Sequence, residues 1–418
     1  MSKTVIEGGA RLAGEISVHG AKNAVLPILA ATILTDGISE IKNCPELTDV
    51  RHTVEILRFL GARVTREGDT LTVDARGADG SHIPESLMRK MRSSIIFMGA
   101  IIARNGRAKI SAPGGCELGP RPIDLHTKAL KELGVGIEEK HGYIICDGKA
   151  HGGEIYLKFP SVGATENIML ASCLAEGETV ISNVAKEPEI SDLQKFLNEM
   201  GAEVSGAGTS EIRIKGAKGL HGAKHSVLPD RIVATTYLCC AAATGSEITV
   251  KSVVPEHLSA SVNCLRDCGC EISTGADFVH IKAPQRLKAA AEITTMPYPG
   301  FPTDVQSQFL SMLTVADGTS VITENIFDSR FKHTDELIRM GADVTIHGRT
   351  AVVKGAAGLS GANVTAYDLR GAAALVIAGL CAEGKTTIND IDYMDRGYES
   401  FEENLRRLGA KIKREHYG

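Results

Sequence analysis

EMGAEVSGAGTSEIRI, residues 199–214, carries the pattern that decides the fold. A helical stretch ends at Gly201, and two alternating apolar and polar segments follow around a turn. Glycine suits the left-handed residue that closes a helix, and alternation about a tight turn reads as a hairpin. Five more copies stand in the chain: FLGARVTREGDTLTV (59–73), ELGVGIEEKHGYIIC (132–146), DCGCEISTGADFVHI (267–281), RMGADVTIHGRTAVV (339–353) and RLGAKIKRE (407–415). Their marker glycines are Gly61, Gly134, Gly201, Gly269, Gly341 and Gly409. The period is roughly 70 residues, the mark of a repeat architecture.

Upstream of each marker a second helical stretch also repeats. Its copies begin AKNAVLPILAATIL (21–34), MRSSIIFMGAIIA (91–103), VGATENIMLASCLAEG (162–177), PDRIVATTYLCCAAATG (229–245), PTDVQSQFLSMLTVADG (302–318) and LRGAAALVIAGLCAEG (369–384). They are apolar on nearly every face, which predicts buried helices. Short strands such as GETVISNV, GSEITVKSV and GTSVITEN come next. The unit therefore reads as strand, buried helix, strand, surface helix, strand, strand. Three such units around shared buried helices make one α/β domain, and six make two.

Composition agrees with a globular chain and removes several function classes. The 418 residues are 43% hydrophobic and 23% charged, which excludes a disordered, collagen-like or coiled-coil chain. Length alone predicts two to four domains of ~150 residues; the repeats narrow that to two. Glycine, at 44 residues, is about one in ten against a usual ~7%. With 4% aromatic residues and a net charge of −5, neither nucleic acid nor a membrane surface is expected as partner. The longest apolar runs, around 95–103 and 372–382, fall far short of a ~20-residue span. The first residues lack the basic-then-apolar plan of a signal peptide, so a cytoplasmic protein with reduced thiols is expected.

Ten cysteines in such a chain read mostly as small buried hydrophobes. Cys264, Cys268 and Cys270 invite a metal reading, but no CxxC pair or histidine partner accompanies them, and no metal is expected. Cys116 differs because it follows Pro113-Gly114-Gly115 in a loop.

Equivalent helices in pseudo-symmetric units point the same way, so the buried-helix starts should collect at one end of each domain. Helix N-termini attract anions. At or near those starts lie Lys22-Asn23, Arg92-Ser93, Ser161-Val162-Gly163, Asp230-Arg231, Thr303-Asp304, and Asp368 with Arg370. Two such ends facing each other would form a basic cleft for a polyanionic small molecule.

The six-fold unit, GAKNAVLP (20–27), PGGCELGPRPIDLH (113–126), PGFPTD (299–304) and DRGYE (395–399) together resemble the enolpyruvyl transferase family, and within it the transferases that act on UDP-N-acetylglucosamine. The resemblance runs from near Val5 to the last helix. It implies two inside-out α/β domains, each of three βαβαββ-type repeats around buried helices: residues 22–229, and 1–21 with 230–418, the active site lying in the cleft between them. It also implies transfer of an enolpyruvyl group from phosphoenolpyruvate to a sugar hydroxyl, by addition and elimination, with no cofactor and no metal.

Site residues follow from the resemblance position by position. Cys116 matches the reactive cysteine, a proton donor and the target of fosfomycin; a lone Cys in a turn is otherwise inert. Lys22, Asn23, Arg121 and Arg396, with Arg370, match cations and contacts of the phosphoenolpyruvate site, although a lysine is more often a solvated surface charge. Asp304 matches the residue bonded to the sugar 3′-hydroxyl, a candidate general base; a cap on the helix that follows, from Thr303 or Asp304, can hold at the same time. Nucleotide-sugar contacts map onto Arg92, Arg121, Pro122, Ile123, Asp124, Leu125, Ser161, Val162, Gly163, Asp304 and Ile326. Asp230 and Arg231 suit a structural role as well as a substrate contact, and Arg330 suits a surface ion pair as well as the mouth of the cleft. Asp328 and Tyr393 depart from the commonest pattern. The resemblance to the sister transferase acting on 3-phosphoshikimate is weaker, because that enzyme lacks the Gly-Gly-Cys loop. A non-catalytic nucleotide-sugar-binding relative is disfavoured by the intact Lys22, Cys116, Asp304 and Arg396.

Overall fold

A computed structural model describes residues 2–111 and 123–416. Cys116, Arg121 and Pro122 lie outside the described residues. The chain divides into two compact units, one drawn from residues between Gly20 and Leu228, the other from residues up to His19 and from Pro229 onward. Among the described residues, each unit contains three four-stranded sheets.

All six sheets share one plan. In the sheet around Ala351, Glu292–Thr294 runs parallel to Thr319–Thr323, which pairs antiparallel with Thr350–Lys354, and Asp343–His347 closes the edge. A parallel pair needs a crossover, and the buried helix supplies it. The six buried helices are α1 (Lys22–Ala31), α2 (Phe97–Asn105), α3 (Val162–Ser172), α4 (Arg231–Ala243), α5 (Gln306–Leu313) and α6 (Leu369–Cys381). In α6 every residue from Leu369 to Leu380 is buried, which an all-apolar helix with Gly and Ala at close approaches permits. A methyl group at Gly379 would stand 2.9 Å from Ile6 Cδ1. The marker glycines take positive φ, from 87° at Gly134 to 104° at Gly61 and Gly409, as closure of the preceding helix requires.

Three sheets complete the plan with strands from elsewhere in the chain. Lys224–Ser226 lies parallel to Ile38–Lys42, and Ala13–Ser17 lies parallel to Glu247–Lys251. The short sixth copy ends in Lys411–His416, and its missing partner is the first strand, Ser2–Glu7, inserted between that strand and Lys385–Asn389.

Two buried helices start differently from the uninterrupted helices that the sequence predicts. Arg92–Ile96 and Thr303–Val305 are 3-10 turns that precede α2 and α5. The first has a visible cause. Asn167 Oδ1 accepts from Gly99 N at 2.6 Å, and Asn167 Nδ2 donates to Ile95 O at 2.9 Å, so a side chain is inserted in the helical ladder.

Among the described residues, no helix is long and apolar enough to cross a membrane, and no group of His, Cys, Asp and Glu is arranged to hold a metal ion. Cys268 and Cys270 are buried, and burial pushes the Cys270 thiol up to about 12. These are packing cysteines.

Candidate active site

In the unit that contains α4, α5 and α6, the helix starts meet. Asp304, in the turn before α5, directs Oδ1 to Arg330 Nη2 at 2.5 Å and Oδ2 to Arg370 Nη2 at 3.3 Å. Arg330 is only 2% exposed and Arg370 6%, whereas Asp304 keeps 27% of its side chain open. Arg330 also donates to Thr303 O at 3.1 Å. Arg370 lies over the Tyr398 ring, 5.9 Å from its centroid. Burial works against the Arg370 charge, but Asp304, Tyr398 and Asp230 more than offset it, and its pKa is raised. Asp368 caps α6 by accepting from Arg370 N and Gly371 N, which fixes the backbone from which the Arg370 side chain projects.

Capping does not explain Asp304. Neither Thr303 nor Asp304 caps α5: the position before that helix is Val305, with no side-chain cap. Asp304 is engaged by the two arginines instead, and Thr303 Oγ1 donates to Glu324 Oε2 at 2.9 Å. Nor is Arg330 in a surface ion pair, because its guanidinium is buried against Asp304. Asp230 does act as a cap, accepting from Ile232 N and Val233 N at the start of α4. Arg231 is buried, 5.5 Å from the Tyr298 ring centroid.

The other unit carries a second group. Lys22 opens α1 and sets Nζ 2.7 Å from Asp49 Oδ2, with side-chain exposures of 13% and 1%; it is not a solvated surface charge. Asn23 is half-buried beside it. Ser161 caps α3, its Oγ accepting from Ala164 N at 3.3 Å. As the first N–H groups of that helix, those of Val162 and Gly163 have no partner within it. Asp124 and Leu125 begin the helix Asp124–Glu132, preceded by half-buried Ile123. His126 joins these parts. Its Nδ1 accepts from Asn167 Nδ2 at 2.8 Å, and a methyl group at Gly163 would lie 3.2 Å from its ring. Burial first and the Arg92 charge second hold its pKa down at about 4, against the pull of Asp124.

A family model described as EPSP synthase (3-phosphoshikimate 1-carboxyvinyltransferase) matches residues 6–405. The UDP-N-acetylglucosamine 1-carboxyvinyltransferase 2 of Caldanaerobacter subterraneus is 57% identical over 99% of this chain and 100% of its own. The UDP-N-acetylglucosamine 1-carboxyvinyltransferase of Myxococcus xanthus is 49% identical, again over 99% and 100%. Among solved structures, the enolpyruvyl transferase NikO of Streptomyces tendae superimposes with a TM-score of 0.90 at 25% identity, over the whole of both chains.

The chain belongs to the enolpyruvyl transferase family. Its α/β architecture is the family's, and it is a transferase.

Within this enolpyruvyl transferase, the structure brings together Asp304, Arg330 and Arg370 in one unit, and Arg92, Asp124, His126 and Gly163 in the other. Arg396 is half-buried at the end of the turn Ile391–Arg396. Its neighbours in DRGYE are structural: Asp395 pairs with Arg414 Nη1 at 2.7 Å, and Tyr398 Oη lies 2.9 Å from Thr236 Oγ1. Ile326 is half-buried and held through its N–H by Glu324 Oε1 at 2.7 Å. Asp328 is exposed and pairs with Arg349.

Sequence reasoning missed His126 as part of the site, although it closes the motif at 113–126, and left Arg330 undecided. A histidine or arginine is informative only when its burial is known, and neither position has a periodic apolar pattern that reveals it. Glu324 left no signal beyond a charged residue at the end of a strand.

Proposed function

We propose that this chain transfers the enolpyruvyl group of phosphoenolpyruvate to the 3′-hydroxyl of UDP-N-acetylglucosamine and releases phosphate, the first committed step of peptidoglycan synthesis. One observation carries the choice of acceptor: five relatives named for UDP-N-acetylglucosamine are 49–57% identical over 98–99% of the chain. Solved EPSP synthases share the fold at 20% identity. A cytoplasmic role in cell-wall growth, and through it in cell shape and division, follows from that assignment.

The chemistry requires an acid, a base and cations. In addition, the sugar O3′ loses its proton and bonds to C2 of phosphoenolpyruvate while C3 gains a proton, giving a tetrahedral ketal. In elimination, C3 loses a proton and the C2–O bond to phosphate breaks. Asp304 is assigned as acceptor of the O3′ proton, supported by its partly open carboxylate on two buried guanidiniums. Cys116 is assigned as donor to C3 on the strength of its motif. Lys22, Asn23, Arg121, Arg370 and Arg396 are assigned to phosphoenolpyruvate; arginine grips phosphate or carboxylate with two parallel bonds. The nucleotide sugar is assigned to Arg92, residues 121–125, the start of α3 at 161–163, and Ile326. Amide groups at a helix start suit a diphosphate.

Phosphate release tests the reading. It should require both phosphoenolpyruvate and UDP-N-acetylglucosamine, and fosfomycin should abolish it while adding one adduct, on Cys116, by intact-mass and peptide analysis. Release with shikimate 3-phosphate in place of the nucleotide sugar would overturn the acceptor assignment. Labelling away from Cys116 would overturn that residue's role.

A further inference from the structure

Glu324 is fully buried at the end of the strand Thr319–Thr323, and its carboxyl group receives four hydrogen bonds from neutral donors. Oε1 accepts from Thr295 Oγ1 at 2.9 Å, Ile326 N at 2.7 Å and Phe327 N at 3.0 Å. Oε2 accepts from Thr303 Oγ1 at 2.9 Å. Burying a carboxylate is costly unless its lone pairs are filled, and here four donors fill them, which an apolar side chain would leave stranded. What the carboxylate adds is geometry. It ties the end of the strand Glu292–Thr294 to the turn that carries Asp304 and to the loop that carries Ile326. The same turn is held from its other side, because Arg330 donates to Thr303 O at 3.1 Å and pairs with Asp304.

We propose that Glu324 is a positioning residue for the transfer reaction. Oε2 fixes the Thr303–Asp304 turn and Oε1 fixes the Ile326 loop, so one side chain sets the proton acceptor in register with the bound sugar. The inference rests on the assignment of Asp304 and Ile326 given under the proposed function. Its consequence is a separation of effects. Breaking the Oε2 arm alone should misplace the base and leave the sugar-binding loop in order.

Thr303→Val removes the hydroxyl that fills Oε2. Glu324→Gln keeps an oxygen for Ile326 and Phe327 and turns a donor toward Thr303. Thr303→Val should lower kcat about tenfold or more, the scale expected when a reacting group is misplaced by a fraction of an ångström to an ångström. Glu324→Gln, whose amide can donate to the Thr303 hydroxyl in a reversed bond, should lose less. The Kd for UDP-N-acetylglucosamine, from calorimetry, should stay within about twofold of the wild type, because no sugar contact has been removed. The double variant should lose no more than the worse single variant, the signature of a shared bond. Thr303→Val, at a half-buried site, carries the test alone if Glu324→Gln does not fold. A Thr303→Val enzyme with wild-type kcat, nucleotide-sugar affinity falling in step with kcat, or losses that multiply in the double variant would each overturn the proposal. A wild type that releases no phosphate would overturn the functional reading and the proposal together. An active wild type with any of the preceding results overturns the proposal alone.

Discussion

Asn167 Oδ1 accepts a hydrogen bond from Gly99 N at 2.6 Å, taking the place of the carbonyl four residues back in the helix. That carbonyl, Ile95 O, receives Asn167 Nδ2 instead, at 2.9 Å. The interruption leaves Arg92–Ile96 as a 3-10 turn, and the same amide reaches His126 Nδ1 at 2.8 Å. One side chain on α3 therefore sets both the turn that begins with Arg92 and the ring that abuts Gly163. Gly99 is required for the approach: a methyl group there would lie 2.2 Å from Asn167 O.

Asn167→Leu preserves volume and strands a backbone N–H, a carbonyl and an imidazole nitrogen. Each buried group left without a partner costs ~1–3 kcal/mol, so a loss of about 3 kcal/mol or more is expected in urea unfolding. Asn167→Asp, which keeps the acceptor for Gly99 N, should lose less. Equal losses would show that the inserted hydrogen bonds are not what the position supplies.

Acid should destabilise the fold through two buried imidazoles. Burial first, with Arg92 assisting, holds His126 down at about 4. His333 is also held at about 4, by burial against the opposing pull of Asp368 and with Arg330 assisting. In the unfolded chain both titrate near 6.5. Between these values the unfolded chain binds the extra protons. The contribution of these two rings should be constant above pH ~6.5, fall on acidification, and level off below pH ~4. Each ring contributes up to about 3 kcal/mol of that fall. Urea unfolding of His126→Gln between pH 7 and pH 4 should show a shallower slope than the wild type; an identical slope would remove His126 from the account.

Much of this architecture is legible in the sequence because it is repeated. Six copies of a glycine-closed helix and hairpin, and six apolar helices, identify the unit without any contact being known. What the repeats conceal is exchange. Ala13–Ser17 precedes α1 in the chain but pairs with Glu247–Lys251, while Lys224–Ser226 precedes α4 but pairs with Ile38–Lys42. Local periodicity is the same whichever partner a strand takes, so pairing between distant segments leaves no local trace. The site divides in the same way. Lys22, Ser161 and Asp304 are marked by their place at helix starts. His126, Arg330 and Glu324 are marked instead by burial and by partners distant in the chain, Asn167 for His126, Asp304 for Arg330, and Thr295 and Thr303 for Glu324, which spacing along the chain does not encode.

His225 gives a pH effect of opposite sign. It is buried in the strand Lys224–Ser226, with Nδ1 2.8 Å from Glu199 Oε2 and Nε2 3.2 Å from Asp192 Oδ1. Burial opposes the charged ring, but the hydrogen bonds and charges of Asp192 and Glu199 prevail and raise its pKa. A raised folded-state pKa gives stability that is complete below pH ~6.5 and is lost as pH rises through the folded value. His225→Gln should therefore destabilise most below pH ~6.5 and progressively less above it. Amide exchange at Lys224–Ser226 should report the same trend. A penalty that grows with pH would contradict the charged pair.

Asp304 offers the sharpest separation between a base and a ligand. Its two oxygens rest on different buried arginines. Asp304→Asn is close in shape, keeps one acceptor for a guanidinium, turns an NH2 donor toward the other, and removes the ability to take a proton. General base catalysis is typically worth ~10²–10⁴ in rate, and kcat should fall by at least about a hundredfold with UDP-N-acetylglucosamine affinity largely retained. Arg330→Lys tests the support. Lysine keeps the charge but not the planar guanidinium, whose Nη2 reaches both Asp304 Oδ1 and Thr303 O. A fall of about tenfold in kcat, at unchanged Kd, is expected if its task is to aim the base. Turnover that survives Asp304→Asn would place the base elsewhere. Loss of nucleotide-sugar binding in the same variant would make Asp304 a ligand for the sugar hydroxyl, with the proton leaving by another group.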